Sequence, residues 1–110
     1  NVHPSLLPAF RGLHAQRQTI EAGVRITGAT VHFVDSGMDT GPILLQAALD
    51  VRAEDTEESL SERLLPLEHR LYVDALRLIQ RGAVHREGRR VRIDASVLQS
   101  LEPAAADRRK

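Results

Sequence analysis

The sequence predicts an α/β domain, and three stretches carry that expectation. Gly28-Ala29-Thr30-Val31-His32-Phe33-Val34-Asp35 is rich in β-branched and aromatic residues, as strands are. Residues 43–48 run almost continuously apolar, the pattern of a strand buried on both faces. Leu60, Leu64, Leu67, Leu71 and Leu78 recur at three-, four- or seven-residue steps, which draws one apolar stripe down a long helix. The chain has 110 residues, 42% of them hydrophobic, enough for one soluble domain with a small core. Its 15 basic and 15 acidic residues balance, so charge gives no argument for a nucleic-acid or membrane partner. Cysteine is absent, which excludes disulfides and thiolate metal sites. No apolar run is long enough to span a bilayer, and a cytoplasmic location is expected.

In chain order, residues 1–3 are expected to end a strand, because Pro4 cannot donate to a ladder. The two-residue period then places Asn1 and His3 on one face and turns Val2 into packing. Pro4 and Pro8 hold an extended or turning loop, which closes at Gly12. A short helix is expected from about 14 to 22, stopped by Gly23. The strand at 28–35 leads into a loop, Ser36-Gly37-Met38-Asp39-Thr40-Gly41-Pro42, and the strand at 43–48 follows. Asp55 and Glu58 have the spacing of a capping box at the head of the long helix. Tyr72, Leu76 and Ile79 widen its apolar stripe, Pro66 predicts a kink or break, and Gly82 ends it. Val84 and Val91-Arg92-Ile93 around Glu87-Gly88 predict a small hairpin. Residues 95–110 lack a pattern and are expected to be a poorly ordered tail behind a folded part at 1–94.

Strand ends of α/β sheets are where ligands bind. An amide and an imidazole there, at Asn1 and His3, can both donate to a carbonyl oxygen that is gaining charge, and the imidazole can move a proton. Asp39, between Gly37 and Gly41, can orient an imidazole and favour its protonated form. It meets His3 if the two strand ends share one edge of a parallel sheet. The spacing is equally that of an ordinary loop and an ordinary turn. His32 reads as a hydrogen-bonded core or rim histidine, His14 stays open between helix cap and site residue, and His69 and His85 read as surface residues. No histidine pair has a persuasive metal spacing. Arg86, Arg89 and Arg90 read as a solvated edge.

Asn1-Val2-His3-Pro4-Ser5-Leu6-Leu7-Pro8, Gly12-Leu13-His14, the run at 28–35, Met38-Asp39-Thr40-Gly41-Pro42-Ile43 and Glu68-His69-Arg70-Leu71-Tyr72 closely resemble phosphoribosylglycinamide formyltransferases. The resemblance extends from Asn1 to about Ile93. It implies the C-terminal half of a formyltransferase-type, Rossmann-like sheet, with a cis Leu7–Pro8 bond. It implies transfer of a formyl group from 10-formyltetrahydrofolate, as co-substrate and without a metal, to the amine of glycinamide ribonucleotide. Asn1, His3 and Asp39 fall on the family's catalytic positions, and Glu68 on an acid that contacts the ribonucleotide. Asn1 and the residues Asp35, Ser36, Gly37, Met38 and Asp39 match the folate site. The partners implied are these small molecules and an N-terminal half of the same domain, which holds the substrate phosphate on a glycine-rich turn. The chain starts inside a motif without Met, so residues upstream are expected, and the 110 residues by themselves are expected to be inactive.

Formyltetrahydrofolate deformylases resemble the chain through the same three residues, but usually have a second His where Pro4 stands. Methionyl-tRNA formyltransferases share the opening run and diverge after Gly12, where Leu13-His14-Ala15 favours the purine enzyme. A silent half-domain that completes a partner is a further alternative. The chain departs from the transferase pattern at Val73, where Pro is usual, and at Pro66, close to Glu68.

Overall fold

A computed structural model describes residues 1–99. Three strands form one sheet in the order β1 (Val2–His3), β2 (Ile26–His32), β3 (Ile43–Asp50), with α1 (Ala15–Ala22) between the first two. Helix α2 (Glu57–Gln80), the hairpin β4 (Val84–Glu87) and β5 (Arg90–Ile93), and a short α3 (Ala95–Gln99) follow. The α/β class holds. Both pairings of the sheet are antiparallel, however, and so correct the parallel arrangement expected for His3 and Asp39. Residues 33–42 are too short a connection for a parallel crossover, which takes a dozen residues or more.

β2 is the central strand, and it is this strand, not β3, that is buried on both faces. Ala29 and Val31 join Leu44 and the α2 residues Leu71 and Ala75 in the core. On the opposite face Thr30 anchors the loop after β1: its hydroxyl donates to Ser5 O (2.7 Å) and accepts from Leu7 N (3.1 Å). Gln46 Nε2 from β3 donates to Leu7 O at 2.9 Å. The Leu7–Pro8 bond held between them is cis, as expected. β3 has Leu44 buried and from Leu45 on alternates half-buried and exposed residues.

α2 begins one residue later than the acids indicated. Thr56 is the N-cap: its hydroxyl accepts from Ser59 N (3.1 Å), and Ser59 Oγ accepts from Thr56 N (2.9 Å). Asp55 instead accepts from Arg52 N (2.7 Å) and Arg63 Nη1 (2.6 Å), which ties the helix to the turn before it. The helix runs unbroken through Pro66. Pro66 is exposed, so the carbonyl it leaves without an amide partner lies on the water side, and the buried stripe carries the helix past it. That stripe is Leu60, Leu64, Leu71, Ala75 and Leu78; Tyr72, Leu76 and Ile79 stay exposed rather than widening it. Past the C-cap Arg81, Gly82 is left-handed, its N–H reaches Ile79 O, and Ala83 N reaches Leu78 O. Both partners of this closing turn, Leu78 and Ala83, are fully buried. Residues 95–99 of the expected tail form α3, and 100–110 lie outside the described residues.

Candidate active site

The end of β1 and the loop after β2 meet at Asp39. His3 is buried at the end of β1, and its Nδ1 lies 3.3 Å from Asp39 Oδ2. Its Nε2 lies 2.8 Å from Phe10 O. Both ring nitrogens therefore face acceptors, and both contacts become hydrogen bonds when the ring is an imidazolium. Gly12 N–H donates to the same Asp39 oxygen at 2.8 Å. Gly12 has φ +80°, and a Cβ there would stand 3.2 Å from Met38 Sδ, so a side chain is disfavoured both by backbone and by contact. Phe10, at φ 53°, and Asp39, at φ 57°, are themselves left-handed, a strain of the kind concentrated at functional sites.

A third residue, which the sequence reading placed in the core or rim, stands at this carboxylate. His32 is buried with Nε2 3.6 Å from Asp39 Oδ1, and its Nδ1–H donates to Phe33 O at 2.9 Å. Its Nε2 has no hydrogen-bond partner within normal reach. The β2–β3 ladder slips one residue here: Val31 faces Leu45, but His32 faces Ile43. The extra residue is Leu44, so the bulge lies in β3 just after the loop. The signal that singled out His3, a histidine at a strand end beside a loop, also applies to His32.

The other expected site residues are placed as follows. Asn1 is exposed, and its main chain pairs with His32, accepting from His32 N at 2.8 Å and donating to His32 O at 2.9 Å. It lines a depression of about 190 Å³ with His32, Phe33 and Tyr72. Asp39 opens instead on one of about 240 Å³ with Leu7, Pro8, Arg11 and Arg89. The structure thus brings His3 and Asp39 into contact and sets Asn1 next to His32. Ser36, Gly37 and Met38 are exposed along the loop. Asp35 Oδ1 staples this loop by accepting from Thr40 Oγ1 (2.7 Å) and Gly37 N (2.9 Å), and these two bonds hold its carboxyl below the ordinary carboxylate value. His14 is the left-handed N-cap of α1 and makes no side-chain cap bond. Among the described residues no group of three His, Asp or Glu side chains is placed to hold a metal, and no helix is long and apolar enough to cross a membrane.

Glu68 is half-buried on α2, close enough to His3 to feel its charge. Burial raises its carboxyl above the ordinary 4.5, against the opposing charges of His69 and His3. A raised carboxyl pKa means that the folded chain holds the proton more tightly than the unfolded one. The associated stability is complete below the ordinary value and is lost as pH rises through the folded value. Glu68→Gln is therefore expected to gain in melting temperature over wild type as pH rises from about 4 to about 7. Thermal melts across that range test this, and a constant difference between the two proteins would contradict it.

Residues 1–76 match the protein family described as formyl transferase. The chain belongs to that family. It is 52% identical over 84 residues to the trifunctional purine biosynthetic protein adenosine-3 of Gallus gallus, covering 76% of this chain and 8% of that protein. It is 49% identical over 77 residues to phosphoribosylglycinamide formyltransferase of Bacillus subtilis (strain 168), covering 70% of this chain and 40% of that enzyme. Among solved structures, glycinamide ribonucleotide transformylase 1 from Symbiobacterium toebii superposes with a TM-score of 0.83 at 59% identity, over 84% of this chain and 44% of that one. The chain thus spans less than half the length of each of these relatives.

Proposed function

We propose that this chain carries the acid–base part of a folate-dependent formyltransferase, which moves a formyl group from 10-formyltetrahydrofolate to the amine of glycinamide ribonucleotide in purine synthesis. The observation that carries the reading is Asp39 held between Gly12 N–H and the His3 ring, at the strand end where such a transfer needs an acid–base group. The amine attacks the formyl carbon and a C–N bond forms. The carbonyl oxygen becomes an oxyanion, to which the Asn1 amide and the protonated His3 donate. His3 Nε2–H is held by Phe10 O in the resting site and has a stronger acceptor in the oxyanion. Asp39 orients the ring through Nδ1. The bond to N10 of the folate then breaks, N10 takes up a proton, and the attacking amine gives one up to water.

In this reading residues 35–39, with Asn1, line the pterin pocket, largely through backbone groups, and Glu68 contacts the ribonucleotide. The rest of the relatives' length supplies the phosphate-holding turn, and the enzyme works on small molecules in the cytoplasm. The test is to incubate the complete gene product with 10-formyltetrahydrofolate and glycinamide ribonucleotide. Formylated ribonucleotide, identified by mass spectrometry and formed as tetrahydrofolate is released, is the expected result. Free formate without formylated amine would identify a deformylase instead.

A further inference from the structure

We propose that the β4–β5 hairpin is a positioning device for the active-site loop, with Arg89 and Arg86 fixing the two ends of the segment that carries Asp39. The inference rests on the catalytic reading of Asp39. The hairpin lies outside residues 1–76, and its arginines are exposed, so by sequence they form a solvated edge. The structure gives Arg89 and Arg86 partners on the active-site loop. Arg89 Nη2 donates to Thr40 O, at the closing end of the loop. The Arg86 guanidinium stands 4.8 Å from the centroid of the Phe33 ring, at the opening end.

The loop needs such restraint because little burial holds it. Residues 34–38 are all exposed, while Asp39 keeps a left-handed backbone that an unconstrained chain would leave. Arg11 Nε donates to Asp39 O at 3.4 Å from the loop after β1, and Arg89 takes the next carbonyl from the hairpin. Two successive carbonyls of the kink are thus bonded by arginines from separate parts of the fold. The hairpin can bear that role because it is short and anchored. Glu87 pairs with Arg90 across a two-residue turn that puts Arg89 at the tip, and Val84, Val91 and Ile93 pack on the core. The contacts of Arg89 and Arg86 on the loop are with its backbone and its first ring, through which they act.

The experiment compares Arg89→Ala, Arg89→Lys, Arg86→Ala and Arg90→Ala in the complete gene product. Arg89→Ala is expected to lower kcat by about 10- to 100-fold with KM for both substrates little changed, since a small misplacement of a catalytic group costs turnover more than binding. Arg89→Lys should recover part of the loss, Arg86→Ala should lower kcat by less, and Arg90→Ala should match wild type. Added to Asp39→Asn, Arg89→Ala should cost nothing further. Amide hydrogen exchange should speed up across residues 35–41 in Arg89→Ala and stay unchanged in α2. Wild-type kcat and exchange in Arg89→Ala, an equal loss in Arg90→Ala, or full additivity with Asp39→Asn would each overturn the proposal. Absence of formyl transfer by wild type would remove the catalytic reading, and the exchange comparison would still decide whether the hairpin holds the loop.

Discussion

Asp39→Asn is expected to lower formyl transfer by about 10²- to 10⁴-fold, the range for losing an acid–base partner. The substitution keeps the shape of the side chain and one oxygen to accept from Gly12 N–H, so the loop should stay folded. What it removes is the negative charge facing His3 Nδ1 at 3.3 Å and His32 Nε2 at 3.6 Å. Without it the charged contact at Nδ1 is lost, while the contact of Nε2 with Phe10 O remains. His3→Ala should cost a similar factor, and the double variant little more than either single one, because the two residues act as a unit. Asn1→Ala should cost about 10²- to 10³-fold through loss of an oxyanion donor. Steady-state kinetics on the complete gene product, with melting temperatures to confirm folding, give the answer. Near-normal turnover in Asp39→Asn would remove that residue from the mechanism.

The meeting of His3 with Asp39 was legible because the family resemblance joined positions far apart in the chain. The elements were legible from periodicity and from their stops, Gly23 and Gly82. The misreadings have local causes. Asp55 and Thr56 are both competent caps, and the choice between them was made by Arg63, which draws the Asp55 carboxylate away. Pro66 did not break α2 because it falls on the exposed side of a helix fixed by its buried stripe. The apolar run at 43–48 indicated a strand buried on both faces, but Gln46 and Ala48 of β3 are exposed. His32 stands at a strand end beside the loop, as His3 does, but its place in a β-rich run read as core or rim. Its approach to Asp39, whose backbone is left-handed, is a tertiary outcome.

Gly41→Ala is expected to be the most disruptive single change at the loop, costing on the order of 3 kcal/mol of stability, as overpacking does when the neighbour cannot move. A Cβ on Gly41 would fall 1.6 Å from Phe33 O and 2.6 Å from Phe33 C. Those are main-chain atoms at the neck of the loop, where Phe33 N also donates to Pro42 O at 2.9 Å. The backbone must separate to admit a methyl group, and the separation breaks that bond and lifts the segment carrying Asp39 away from Gly12 and His3. Gly37 makes the useful contrast, since a Cβ there would meet the Thr40 side chain, whose hydroxyl can rotate at the cost of its bond to Asp35. Gly37→Ala should therefore lose less stability than Gly41→Ala, which should melt many degrees lower and lose turnover by about 100-fold or more. Paired thermal melts and kinetics on the two variants test this. A Gly41→Ala protein as stable as Gly37→Ala would show that the neck of the loop is wider than the Phe33–Gly41 approach implies.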